Sequence, residues 1–133
     1  MNRWSSLALA LALCSGAASA EWTALGGGNN IHVPYADKGS IRALGTNVSM
    51  AGLYDFRRGD LTPEGQPFLS TAVLREYDCR GRQVRLLSYI DFSGHMGTGS
   101  AVTTVKRTGR WERIVEGALD EAYWQVACGQ QAR

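Results

Sequence analysis

Residues 70–92 read STAVLREYDCRGRQVRLLSYIDF, and they decide the fold class. Ser70 to Tyr77 and Val84 to Phe92 are two runs rich in β-branched and aromatic residues, each long enough for a strand and separated by Cys79-Arg80-Gly81-Arg82. Such a spacing predicts a β-hairpin, with Gly81 as the residue free to take the positive φ of a tight reversal. A period of two along the second run puts Val84, Leu86, Ile90 and Phe92 on one face and Arg85, Leu87 and Tyr89 on the other.

The same alternation continues outward. Upstream, Val48, Met50, Tyr54 and Phe56 alternate as large side chains with Gly52 among them, which predicts a strand from Val48 to Phe56 with one buried face. Trp22 to Leu25 and Ile31 to Tyr35 are short apolar runs around Gly26-Gly27-Gly28-Asn29-Asn30, and read as a first hairpin. Asp37-Lys38-Gly39-Ser40 and Leu44-Gly45-Thr46 read as punctuation, and 60–67, with two prolines, as a polar connection. Downstream, Gly94 to Gly99 leads into the β-branched run Ala101 to Val105. About six strands follow from this pattern. Near the end the period changes: Leu119, Ala122, Tyr123 and Val126 share one face of a helix from about Ala118 to Ala127. A helix so short is marginal alone, so it needs the sheet beneath it.

The first twenty residues read as an export leader. Arg3 precedes the apolar run Leu7 to Leu13, and Ala18-Ser19-Ala20 is a small-x-small site, placing cleavage between Ala20 and Glu21. The run is shorter than the roughly 20 apolar residues that span a bilayer. Leu11-Ala12-Leu13-Cys14 has the outline of a lipidation box, but Leu13 is large where a small residue normally precedes the modified cysteine. Residues 21–133 then form one domain, with a formal net charge of +1 and no strong electrostatic pull on a partner. Cys79 and Cys128 remain, and in an oxidising compartment they read as a structural disulfide that fixes the helix end beside the Arg80 turn.

Residues 94–100, GHMGTGS, look faintly like a phosphate-cradling loop, but a β-branched run follows where such a loop needs a helix. His32 and His95 have no second ligand at i+2 or i+4, so zinc spacing is absent, and no Gly-x-Ser-x-Gly or Cys-x-x-Cys occurs. Asp37, Asp55 and Asp91 could meet only through the fold, and nothing in their spacing predicts a carboxylate pair. The expectation is therefore a non-enzymatic protein without cofactor, metal site or nucleic-acid partner. Arg58-Gly59-Asp60 is the tripeptide that integrins read, placed in an expected loop, but in a chain this rich in arginine and glycine the leading account is chance and ordinary turn chemistry. Arg75, Arg80, Arg82 and Arg85, with Lys106, Arg107, Arg110 and Arg113, read either as a patch for polyanions or acidic proteins or as a solvated sheet edge.

The order of these features resembles the surface-adhesin protein E family of Gram-negative envelope proteins. Trp22, Tyr35-Ala36-Asp37 before Ser40-Ile41-Arg42, Tyr77-Asp78-Cys79 before a basic turn, Tyr89 to Gly99, Trp111, and a helix closing on Val126-Ala127-Cys128 carry the likeness over nearly all of 21–133. The resemblance implies an α+β domain: a six-stranded antiparallel sheet backed by a C-terminal helix, Cys79 bonded to Cys128, often dimeric. It also implies, through the best-known member, adhesion to host cells and to matrix proteins such as vitronectin and laminin; the leader itself places the chain in the periplasm or at the outer cell surface. No ligand-binding residue carries over. The alternative is a periplasmic structural or interaction domain with no adhesin role.

Overall fold

The structure is a computed structural model in which residues 20–129 are described, so the expected leader, with Cys14, lies outside the described residues. Among the described residues, seven strands and one helix follow in chain order: β1 Thr23–Ala24, β2 His32–Leu44, β3 Asn47–Leu61, β4 Pro67–Asp78, β5 Gln83–Phe92, β6 Ala101–Lys106, β7 Glu112–Arg113 and α1 Leu119–Gly129, with one 3-10 turn at His95–Gly97. β1 to β6 lie side by side in that order, each antiparallel to its neighbour. The two residues of β7 pair with the start of β5, beyond the end of β6. The expected six-stranded meander and its helix are thus present, with one short strand added.

Register explains which side chains meet the helix. Across β3 and β4, Val48 faces Tyr77, Met50 faces Arg75, Gly52 faces Val73 and Tyr54 faces Thr71. This row of pairs lies under α1. Tyr123 of the helix is fully buried against it, together with Val48, Met50, Tyr77, Val84 and Ala127. The helix begins one residue later than its periodicity predicted and runs two residues further. Asp120 and Glu121 sit in its first turn, where negative charge suits the helix dipole. Its far end is fastened twice. Cys128 is bonded to Cys79, with 5.5 Å between their Cα atoms, and the Trp124 indole Nε1 donates to the Asp78 carbonyl at 3.1 Å.

Four local expectations are corrected. Residues 37–40 do not end a strand: they lie inside β2, where the register shifts between Asp37 and Arg42. The Ser40 hydroxyl substitutes for a missing ladder group there, accepting the Ala51 N–H at 2.8 Å while donating to the Asp37 carbonyl at 2.6 Å. Arg58-Gly59-Asp60 is not in a loop but in the outer part of β3, where Asp60 pairs with Phe68. In the Cys79–Arg82 turn the positive φ of 50° belongs to Arg82, not Gly81. Gly81 is there for space, because a Cβ would collide with the Asp78 carboxylate, which accepts the Arg80 and Gly81 N–H groups at 3.1 and 2.8 Å.

The fourth correction concerns β5. Leu74 faces Ser88 while Arg75 faces Leu86, so Leu87 is an extra residue bulged out of the ladder. A bulge reverses the parity of everything beyond it. Val84 and Leu86 therefore share their face with Tyr89 and Asp91, and not with Ile90 and Phe92 as strict alternation required.

Two stability predictions follow from this packing. At Gly52 an added Cβ would stand 2.8 Å from Cε1 of Tyr123 and 3.4 Å from the Val73 side chain. Alanine would normally favour a strand by about 0.5–1 kcal/mol over glycine, but overpacking of this kind costs about 1–3 kcal/mol. Gly52→Ala is therefore expected to destabilise the fold on balance, read as a lower urea midpoint at unchanged slope. The disulfide spans 49 positions, and in the chain-entropy account closing such a loop is worth about 4 kcal/mol. The Cys79→Ser, Cys128→Ser double variant should lose stability of that order in urea titration.

Candidate binding surface

Beneath α1 the sheet carries a cation in a ring of aromatics. The Arg75 guanidinium lies 5.5 Å from the Tyr54 ring centre and 5.8 Å from that of Tyr123, within cation–π range. Its Nη1 is buried and has no hydrogen-bond partner among the described residues. Asp120 Oδ1 is 3.8 Å from it, close enough for ionic attraction and too far for a hydrogen bond. Burial opposes the charge of Arg75, yet Tyr54, Tyr77 and Asp120 outweigh it and hold the guanidinium above its ordinary pKa. At neutral pH a tyrosine carries no charge, so Asp120 supplies the ionic part.

Two more arginines of the expected cationic patch are also tied into the fold. Arg82 stacks on Trp124 at 4.6 Å and pairs with Glu121 at 2.8 Å. Arg85 stacks on Trp111 at 4.4 Å and pairs with Glu76 at 2.7 Å. Each couples a strand or turn to an element distant in sequence, so removing either would cost packing as well as charge. The structure thus divides the patch. Arg75, Arg82 and Arg85 are structural, whereas Arg80, Lys106, Arg107, Arg110 and Arg113 are exposed and enter no ion pair among the described residues.

Four of those five cations follow one edge of the sheet. After β6, the chain keeps contact with β5 through Arg107 N–H to the Leu87 carbonyl at 3.2 Å and Gly109 N–H to the Leu86 carbonyl at 2.8 Å, and then forms β7. Residues 101–113 are therefore one interrupted edge running the length of β5. A cavity of about 270 Å³ opens beside it, lined by Arg75, Arg85 and Arg110 as well as by Glu112, Asp120 and apolar Val84 and Leu86. Its opposing charges nearly cancel.

The remaining candidates are absorbed by the fold. In the 94–100 loop five of seven amides already have protein acceptors: Gly94 to the Thr98 carbonyl, Met96 to Asp55, Gly97 to Ser70, Thr98 to the His95 carbonyl and Ser100 to Ser93. Little is left to cradle a phosphate. Asp55 also meets His95 Nδ1 at 3.1 Å, Asp91 accepts the Thr71 hydroxyl at 2.6 Å, and Asp37 accepts the Gly39 N–H at 3.0 Å. Asp55 and Asp91 lie in adjacent rows of the ladder and so on opposite faces. They form no catalytic pair. His32 is packed against Tyr54 and Phe56, its pKa lowered by burial. The described residues contain no group of three His, Cys, Asp or Glu able to hold a metal ion, and no helix long and apolar enough to cross a membrane. The Arg–Trp stacks at Arg82 and Arg85 were missed in sequence because each joins residues more than 25 positions apart, which no local pattern records.

The comparisons with known proteins agree with the architecture. The model of the family described as surface-adhesin protein E matches residues 22–129. No curated protein sequence matches. Among solved structures, crystal form II of Haemophilus influenzae protein E superimposes with a TM-score of 0.67 at 14% identity, covering 84% of this chain and 90% of that one. Another structure of the Haemophilus influenzae protein E gives 0.64 at 15%, covering 82% and 84%. Identities this low speak for the fold alone.

The tyrosines around Arg75 give the assembly a signature in alkali. Burial, the leading cause, pushes the phenols of Tyr77 and Tyr123 above the ordinary tyrosine range, and the Tyr123 hydroxyl donates to the Leu53 carbonyl at 3.3 Å. In the unfolded chain these phenols lose their protons near pH 10, as free tyrosine does. The fold favours the neutral form, so the stability it draws from them is present in full below about pH 10 and declines as pH rises toward the folded values. Ultraviolet titration should show the Tyr77 and Tyr123 phenols ionising only as the chain unfolds. Their ionisation near pH 10 in folded protein would contradict the burial.

Proposed function

Since this chain belongs to the surface-adhesin protein E family, we propose that it is an exported, non-enzymatic binding module of a bacterial envelope that attaches to host cells or extracellular matrix proteins. The observation that carries this reading is the extent of the family match, which takes in every strand and the clasped helix. Two features of the structure support it. Asp37, Asp55, Asp91 and His95 are each occupied in holding a turn, a strand or a loop, and Lys106, Arg107, Arg110 and Arg113 gather on one exposed edge without an ion pair among the described residues. Export with cleavage between Ala20 and Glu21 fits the Cys79–Cys128 bond, because disulfides persist in oxidising compartments. The mature domain in this proposal is residues 21–133.

A test of adhesion immobilises the oxidised exported protein and measures vitronectin and laminin binding. Saturable binding that survives moderate salt is expected; no saturable signal, or one that modest salt alone abolishes, refutes specific adhesion. Protease treatment of intact cells separates the surface role from a periplasmic one, since only a surface adhesin is cut.

A further inference from the structure

The sheet ends on β6, which pairs only with β5 among the described residues and so leaves its outer row of backbone groups open. Open edges are templates for a further strand, and proteins usually blunt them with prolines, inward charges or bulges. On the opposite side of the sheet β2 is blunted in this way: β1 covers Tyr35 and Ala36, and the ladder breaks between Asp37 and Arg42. β6 has one irregularity near its start and is regular from Thr103 to Lys106, a β-branched stretch without proline. At its end come Lys106, Arg107 and Arg110, all exposed and without an ion pair among the described residues. Glu112 and Asp120 line the neighbouring cavity, but Asp120 faces Arg75 and Glu76 is taken by Arg85.

We propose that β6 receives an extended acidic segment of a partner protein as an added strand, with the partner's carboxylates meeting Lys106, Arg107 and Arg110. Backbone pairing would supply the affinity of strand addition, and the cations at one end would set direction and select against basic segments. A sulfated glycan would use the cations and leave the open ladder unused, so the ladder favours a peptide. The inference rests on the reading of the protein as a protein-binding module, and it identifies the surface and the chemistry of the partner.

The test uses the full chain, expressed with its own leader and purified oxidised, and an octapeptide alternating glutamate with valine as probe. Fluorescence polarisation should show binding that weakens at least tenfold when alternate peptide nitrogens are methylated. The Lys106→Glu, Arg107→Glu, Arg110→Glu variant should weaken it at least tenfold, while Lys38→Glu, Arg42→Glu on the opposite edge should leave it unchanged at equal thermal stability. Amide exchange should slow in Thr103 to Lys106 only when peptide is present. The proposal is overturned if the methylated or an all-lysine peptide binds equally well, if charge reversal has no effect, or if heparin binds at the edge and the peptide does not. It is also overturned if a second copy already protects β6 in the free protein. Matrix-protein binding that persists in the charge-reversed variant, with no peptide binding, removes the edge site and leaves adhesion standing; peptide binding without matrix binding does the reverse.

Discussion

Everything on the helix side of this sheet depends on the close approach of Tyr123 to Gly52. A sheet of alternating side chains is normally too rough to admit a tyrosine ring at backbone distance. Here the absence of one Cβ in the middle of β3 makes a hole, with Met50 and Tyr54 as walls along the strand and Val73 across from it. Seated there, the ring buries its apolar body and still gives its hydroxyl a carbonyl acceptor in Leu53. The placement fixes α1 along and across the sheet at once. The disulfide at the other end of the helix then has only one position to close.

With the helix so placed, the charges sort by whether they can reach an aromatic ring. Arg75 is enclosed by Tyr54 and Tyr123, Arg82 lies on Trp124 and Arg85 on Trp111, and each also has a carboxylate within ionic reach. Arginine suits all three positions because its planar head can stack and pair together, which lysine cannot do. Exposed ion pairs by themselves contribute little, commonly under about 1 kcal/mol. Their role here is therefore better described as orientation: they join the turn, the β5 edge and α1 so that residues 106–113 are held against a rigid backing.

How far the sequence disclosed this can be judged residue by residue. The hairpin at Cys79–Arg82, the helix near its true limits and the antiparallel meander were all visible, because period and turn composition are local properties. The Cys79–Cys128 bond was visible from compartment. The bulge at Leu87 was invisible: it inserts a residue without changing composition, and the alternation of Val84 and Leu86 with Ile90 and Phe92 looks unbroken on paper. For the same reason the sequence pattern ends β3 at Phe56, since Arg57 to Asp60 are polar and look like a turn, although the strand crosses an irregularity after Asp55 and pairs with β4 again at Asp60 and Leu61. Of the surface, sequence showed eight cations as one group. Only the fold could divide them, because the division depends on aromatic partners far away along the chain.

That division bears on how an adhesin-type fold can be so far from its structural relatives in sequence and keep the same shape. The requirements for the shape are few and interior: a hole at Gly52, a ring to fill it, two cysteines to close the helix, and polar groups such as Ser70 to pin the 94–100 loop, whose hydroxyl donates to the Gly94 carbonyl and accepts from Gly97. None of these points outward. The cations of the edge strand are under no such demand, since Lys106 and Arg110 enter no ion pair among the described residues. Exchange of Lys106, Arg107, Arg110 or Arg113 leaves those interior contacts in place, whereas Trp111 of the same edge is held to Arg85 and belongs with them, so the part of residues 101–113 that is free to vary is its row of cations.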